Sequence, residues 1–423
     1  MRIALRYGRH GLNVTLPDTP HLAVLRMRQA AVLPDKEAAI RDALERPIAS
    51  PPLREIAKGR RDACITISDI TRPVPNALLL VPMLGVLNAS GIPDERITIL
   101  IGTGLHRPNT DDEIREMVGR DLRSRVRIVN HNARDESLLV YLGNTSRGTP
   151  IWVNRLFVEA DLHLATSLIE PHLMAGFSGG RKAICPGLAG VKTMRVMHGP
   201  KLLGHPRACE GELAGNPFHE EATEIARRAR VDFAVNVALD ESRRVTGVFA
   251  GDLVEAHAVG CRFVAECAAA LLDEPADIVL TTSAGYPLDL TFYQSVKAMT
   301  AAVPVVRQGG TIIVAAACAE GIGSPDFRRL MAETTSVEQF RARLADPEFF
   351  VIDQWQLQEM CRALDRADVL YYTDGLSPEV LRTLLVTPIP SVEEGLAMAR
   401  KRCGPDARIA VIPEGPYVLP RLR

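Results

Sequence analysis

From about residue 60 onward, short β-branched runs alternate with longer stretches whose apolar positions recur every three or four residues. Continuous apolar runs of that length fit strands buried on both faces, and the intervening spacing fits amphipathic helices. Repeated alternation of the two predicts parallel sheets flanked by helices, an α/β fold rather than a sandwich or a bundle. Strands are expected at 64–69 (CITISD), 97–102 (ITILIG), 126–132 (VRIVNHN), 161–167 (DLHLATS) and 233–240 (FAVNVALD). A helix is expected from Asn76 to Asn88, ending near Gly91, and another opens on Thr110-Asp111-Asp112-Glu113, a capping box. After a long apolar helix at 253–272 the pattern restarts with 276–283 (ADIVLTTS), 311–318 (TIIVAAAC), 368–374 (DVLYYTD) and 407–415 (ARIAVIPEG). Asp273, Glu274 and Pro275 interrupt the helix, which predicts two domains, 1–272 and 273–423, each with a mostly parallel sheet. No internal repeat is visible, which excludes a solenoid.

Length agrees with this division, since 423 residues with 47% hydrophobic content exceed one ordinary domain. Fifty basic residues against 51 acidic ones leave a formal charge of -1, so no global field exists to hold nucleic acid or an anionic membrane. The start, MRIALRYGRHGLNVTLP, has no continuous apolar core, and ALLLVPMLGVLNA is broken by Pro82 and Asn88 and too short to span a bilayer. A cytoplasmic protein is expected. The eight scattered cysteines form no CxxC pair and read as reduced, mostly buried thiols.

Ligands of open parallel sheets bind beyond the carboxyl ends of the strands, where helix N-termini converge. Three polar clusters fall there: Asp69-Ile70-Thr71-Arg72-Pro73, Thr103-Gly104-Leu105-His106-Arg107-Pro108 and Glu170-Pro171-His172. In the second series, Ser283-Ala284-Gly285-Tyr286-Pro287 follows the first strand, and Tyr293, Gln294 and Lys297 lie on the next helix. If the two edges face each other, the site is an interdomain cleft. His10, His21, His131, His163, His205, His219 and His257 show no such clustering and are assigned structural or solvent roles.

Two motifs invite other readings. Gly176-Phe177-Ser178-Gly179-Gly180 matches GxSxG, which would make Ser178 a hydrolase nucleophile; yet Glu170-Pro171-His172 separates it from the preceding strand, where an elbow needs direct entry. Gly102-Thr103-Gly104 begins like a dinucleotide fingerprint, but Arg107 occupies the third glycine position. The denser segment, 170–200, holds His172, then Ser178-Gly179-Gly180-Arg181-Lys182, then Met197-His198-Gly199-Pro200. Gly179 and Gly180 beside Arg181 and Lys182 suit close approach to a phosphate, and such a lysine is also a candidate amine nucleophile or attachment point.

Taken in order, SDITRPVP, GTGLHRP, EPHLMAGFSGGRKAICPG, MHGP and FYQSVKAM resemble the nickel-pincer lactate racemase family over nearly the whole chain. That resemblance implies a racemase or epimerase of a 2-hydroxy acid. It implies a nickel-pincer nucleotide, a pyridinium mononucleotide with two sulfurs, linked covalently to Lys182, with His198 as the protein ligand to Ni(II). Asp69, Gly179, Gly180 and Arg181 are the further cofactor-binding candidates. It also implies His106 and His172 as acid and base on the two sides of the substrate, Arg72 and Lys297 as carboxylate anchors, and Tyr293, Gln294 and Trp355 as pocket residues. Cofactor-maturation enzymes are the implied partners, and self-association is left open. The family pattern places aromatics just after the catalytic histidine, where this chain has Leu173-Met174; a substrate larger than lactate is therefore expected. A non-catalytic cofactor carrier of the same fold is the remaining alternative.

Overall fold

The computed structural model describes residues 1–28, 30–346 and 348–423. The chain divides into two units, Gln29–Glu266 and a second made of Met1–Arg28 with Cys267–Arg423. Each is built on a six-stranded sheet.

In the Gln29–Glu266 unit the strands lie in the order Val245–Gly251, Phe233–Leu239, Leu162–Leu168, Ala63–Ser68, Ile97–Gly102, Arg127–Asn130. All neighbours are parallel except the edge pair Val245–Gly251 with Phe233–Leu239. Every residue of Leu162–Leu168 is buried, as expected of a central strand covered on both faces. Ile65, Ile67, Ile99 and Ile101 pack with Leu79, Leu80, Met83 and Leu84 of the helix Asn76–Ala89 to form the core. The helix Asp111–Val118 begins with the expected capping box: Thr110 Oγ1 accepts from the Glu113 amide at 3.2 Å and the Glu113 carboxylate accepts from the Thr110 amide at 2.8 Å.

The other unit orders Thr387–Pro388, Ala367–Tyr372, Val306–Ala315, Ala276–Thr282, Ile409–Ile412 and Leu22–Val24, all parallel. Its last strand comes from the N-terminus, so residues 1–28 of the expected 1–272 domain belong to this unit. Three residues at a sheet edge leave too short a pattern to recognise. The hairpin Arg2–Leu5 with Leu12–Thr15 completes the capture, since Ile3, Leu5 and Val14 join Ile278, Leu280 and Ile313 in one apolar cluster.

The helix expected at 253–272 spans Glu255–Ala268, and Ala269–Leu272 becomes a strand paired parallel with Leu419–Leu422. Pairing with the distant C-terminal segment overrides the helical propensity of Ala-Ala-Leu-Leu, a choice local spacing does not encode. Among the described residues no helix is long and apolar enough to cross a membrane. All eight cysteines are free thiols, five of them buried.

Candidate active site

The Gln29–Glu266 sheet starts in its middle at Ala63–Ser68, runs outward through Ile97–Gly102 to Arg127–Asn130, then returns to Leu162–Leu168 on the other flank. This reversal of strand order opens a crevice at the carboxyl ends of the central strands. Asp69–Arg72, His106 and Glu170–His172 all leave the sheet at that edge.

Asp69 is 5% exposed. Its Oδ2 lies 2.7 Å from His106 Nδ1, and its Oδ1 accepts the Thr71 hydroxyl at 2.6 Å. Burial alone would raise this carboxyl, but the His106 ring, the Thr71 hydroxyl and the Arg72 charge outweigh it and hold Asp69 below the ordinary carboxylate range. Arg72 Nε pairs with Glu170 Oε1 at 3.0 Å, and Arg72 Nη1 donates to the Thr71 hydroxyl at 3.2 Å. Asn109 Oδ1 accepts the Ile70 amide at 3.0 Å and fixes the turn that carries them. His172 is half-buried, with Nδ1 accepting the Met174 and Ala175 amides at 3.2 and 3.3 Å.

The segment after His172 folds back on the sheet. Ser178 Oγ donates to Leu168 O at 2.7 Å and accepts the Glu170 amide at 2.9 Å, so the hydroxyl ties a loop down and has no histidine nitrogen bonded to it among the described residues. Gly179 and Gly180 have φ of +81° and +52°; a Cβ at Gly180 would lie 2.7 Å from the His257 ring, and its amide donates to Asn236 Oδ1 at 2.9 Å. Arg181, 2% exposed, donates to Ala175 O at 2.7 Å and lies 2.9 Å from His257 Nε2; burial pushes it down to about 10. These residues clamp the loop from within. The Gly102-Thr103-Gly104 glycines serve packing also: the Gly104 amide donates to Gly187 O at 2.9 Å.

Lys182 leaves this clamp half-buried, its Nζ 5.4 Å from the centre of the Phe218 ring. Burial, then the charges of Arg181 and Arg72, push its amine well below the ordinary lysine value. His198, at the C-terminal end of the helix Val191–Met197, meets the same Phe218 ring edge-on at 5.2 Å. It is 5% exposed, and burial followed by the Lys182 charge pushes it down to about 3. An amine and an imidazole, both held toward their neutral forms against one aromatic ring, are the donor set required for a covalent tether and a single imidazole ligand. Among the described residues no group of three or more His, Cys, Asp or Glu side chains is placed to hold a metal by itself.

In the other unit the helix Phe292–Ala302 carries Tyr293, Gln294 and Lys297, and the helix Gln354–Arg366 carries Trp355. Lys297 Nζ donates to Gln294 Oε1 at 2.6 Å, and Trp355 Nε1 donates to Tyr293 Oη at 2.9 Å. Reading from sequence missed Phe218, Asn236 and the pairing of Asp69 with His106. Asn236 lies within the strand Phe233–Leu239, a polar interruption of an apolar run that signals it, whereas Phe218 carries no signal beyond ordinary core character.

The lactate racemase N-terminal domain model matches residues 7–211 and the lactate racemase C-terminal domain model matches 272–419. The lactate racemase of Thermoanaerobacterium thermosaccharolyticum is 36% identical over 423 residues, covering 99% of each chain. That of Lactiplantibacillus plantarum is 36% identical over 421 residues, covering 98% of each. The solved lactate racemase apoprotein from Thermoanaerobacterium thermosaccharolyticum superposes with a TM-score of 0.91 at 36% identity over 100% of both chains. A Thermotoga maritima protein, 19% identical with a TM-score of 0.71 over 93% of this chain and 100% of its own, shares the fold. Matched in both domains and along its full length, the chain belongs to the lactate racemase family.

Proposed function

We propose that this protein is an isomerase that racemises or epimerises a 2-hydroxy acid, with a nickel-pincer nucleotide attached to Lys182 and His198 as its nickel ligand. The observation that carries the reading is the Lys182–Phe218–His198 arrangement, in which burial disfavours the charged form of both donors, close to the Asp69–His106 pair. A single imidazole suits a metal whose other ligands come from soft donors of an organic group. When bound, that group supplies an acceptor for hydride from the substrate carbon.

The chain's own residues do the rest. His106, oriented by Asp69, takes or returns the hydroxyl proton on one side, and His172 serves the other. Imidazole fits because its ordinary pKa of about 6.5 permits both roles near neutrality. Arg72, held by Glu170 and Thr71, is assigned to the substrate carboxylate; Lys297 with its partner Gln294 is a second carboxylate anchor, and Tyr293 and Trp355 are assigned to the substrate body. Gly179, Gly180 and Arg181 keep a cofactor role through the loop they hold in place, and Asp69 through the His106 ring it orients. Leu173 and Met174, both buried where the family pattern has aromatics, support a substrate larger than lactate.

The experiment is a panel of enantiopure 2-hydroxy acids, lactate and bulkier ones, incubated with protein produced alongside the cofactor-building enzymes and resolved by chiral chromatography. Inversion of at least one acid from either hand is expected. A preparation whose Lys182 carries the group yet inverts no acid would identify a cofactor carrier and defeat the proposal.

A further inference from the structure

The two imidazoles proposed as acid and base have opposite kinds of partner at the same ring atom. His106 Nδ1 faces Asp69 Oδ2 at 2.7 Å. Asp69 is buried and its second oxygen accepts both the Thr71 hydroxyl, at 2.6 Å, and the Thr71 amide, at 3.2 Å. An ionised carboxylate only accepts, so the proton of that contact sits on His106 Nδ1 and the lone pair of the neutral ring on Nε2. His172 Nδ1 faces the amides of Met174 and Ala175 at 3.2 and 3.3 Å. Backbone amides only donate, so here Nδ1 holds the lone pair and the neutral ring carries its proton on Nε2.

We infer that the fold sets the two imidazoles in opposite tautomers, with His106 Nε2 the resting proton acceptor and His172 Nε2–H a resting hydrogen-bond donor. Asp69 is thereby a positioning residue for His106, and the turn through Met174 and Ala175 does the same for His172. The inference rests on the proposed function, in that it takes these two rings to exchange protons with a 2-hydroxy acid. For the enantiomer whose hydroxyl meets His106, the O–H bond breaks with its electron pair left on oxygen, Nε2–H forms, and the imidazolium is stabilised by Asp69. That hand needs no prior rearrangement. For the other hand, the neutral His172 ring presents Nε2–H to the hydroxyl oxygen and no lone pair there to take its proton, because its one lone pair, on Nδ1, is engaged by both amides.

The test is long-range nitrogen–proton NMR of the full chain labelled with ¹⁵N-histidine, with His106→Gln and His172→Gln used to assign the ring signals. The expected spectra show His106 protonated at Nδ1 and His172 protonated at Nε2. Asp69→Asn should move the His106 signals toward the other tautomer and leave those of His172 in place; in the kinetic assay it should lower kcat with little change in KM. Two rings in the same tautomer, or an Asp69→Asn spectrum unchanged at His106, would overturn the inference. Because the wild-type spectrum needs neither turnover nor any variant beyond those used for assignment, a protein that shows the two tautomers but inverts no 2-hydroxy acid would defeat the functional reading alone.

Discussion

The two units share a mostly parallel six-stranded plan but use the polar residues of their strand ends differently. In Gln29–Glu266 these residues are crowded and partly desolvated: Asp69 with His106, Arg72 with Glu170, Lys182 and His198 against Phe218. Burial and neighbouring charge shift Asp69, Lys182 and His198 away from their ordinary protonation behaviour. In the other unit the corresponding residues are bonded into local pairs, Lys297 with Gln294 and Tyr293 with Trp355, while Asp289 accepts the amides of Gly8 and Ala317. One sheet edge shifts the protonation of its groups by burial and charge, and the other bonds its polar groups to one another. The proposed acid–base residues and Arg72 accordingly lie in the first unit, and Lys297, Gln294, Tyr293 and Trp355 in the second.

Substitutions separate these roles. His106→Gln and His172→Gln should each lower kcat by about 10²- to 10⁴-fold, the usual contribution of a positioned acid or base, while the mass added to Lys182 is retained on intact-mass measurement. Lys297→Ala should act on binding instead, raising KM by roughly 10- to 100-fold for the loss of a charge-assisted contact to a carboxylate. An effect on kcat alone would move Lys297 from holding to chemistry.

Protonation also gives the Gln29–Glu266 unit an acid weakness. His131 accepts from Asn154 Nδ2 at 2.9 Å and donates to Ala189 O at 3.1 Å, and burial pushes it from 6.5 down to about 4, as burial and the Lys182 charge push His198 from 6.5 down to about 3. The unfolded chain therefore binds these protons first as pH falls. Stability contributed above pH 6.5 is lost progressively toward pH 4 and below, so the melting temperature should decline across that window. His131→Gln should start from a lower melting temperature but decline less steeply. The smallest effect is expected at Ser178→Ala, costing about 1 kcal/mol for a lost buried hydrogen bond and leaving turnover in place. Labelling of Ser178 by a fluorophosphonate would contradict the loop-tying role.

Much of the fold was legible because central strands covered on both faces are predominantly apolar and β-branched, as in Ile97–Gly102, and because Thr110 and Glu113 mark a helix start by their own hydrogen bonds. The three-residue strand Leu22–Val24 and the switch to strand at Ala269–Leu272 were not legible, since each depends on a partner far along the chain. Within the candidate site, strand-end position drew attention to Asp69, His106 and His172. It did not reveal that Asp69 bonds His106, or that Gly180 is required where His257 packs, because both facts arise only when separate loops meet.

The central claim is that Lys182 and His198 together hold the nickel-bearing group on which inversion depends. It is tested most directly by peptide mapping and metal analysis of protein purified with the cofactor-building enzymes present, assayed in the same preparation. The account predicts added mass on Lys182 and on no other lysine, with nickel that is lost from His198→Ala. Inversion of a 2-hydroxy acid by protein whose Lys182 is unmodified would contradict it.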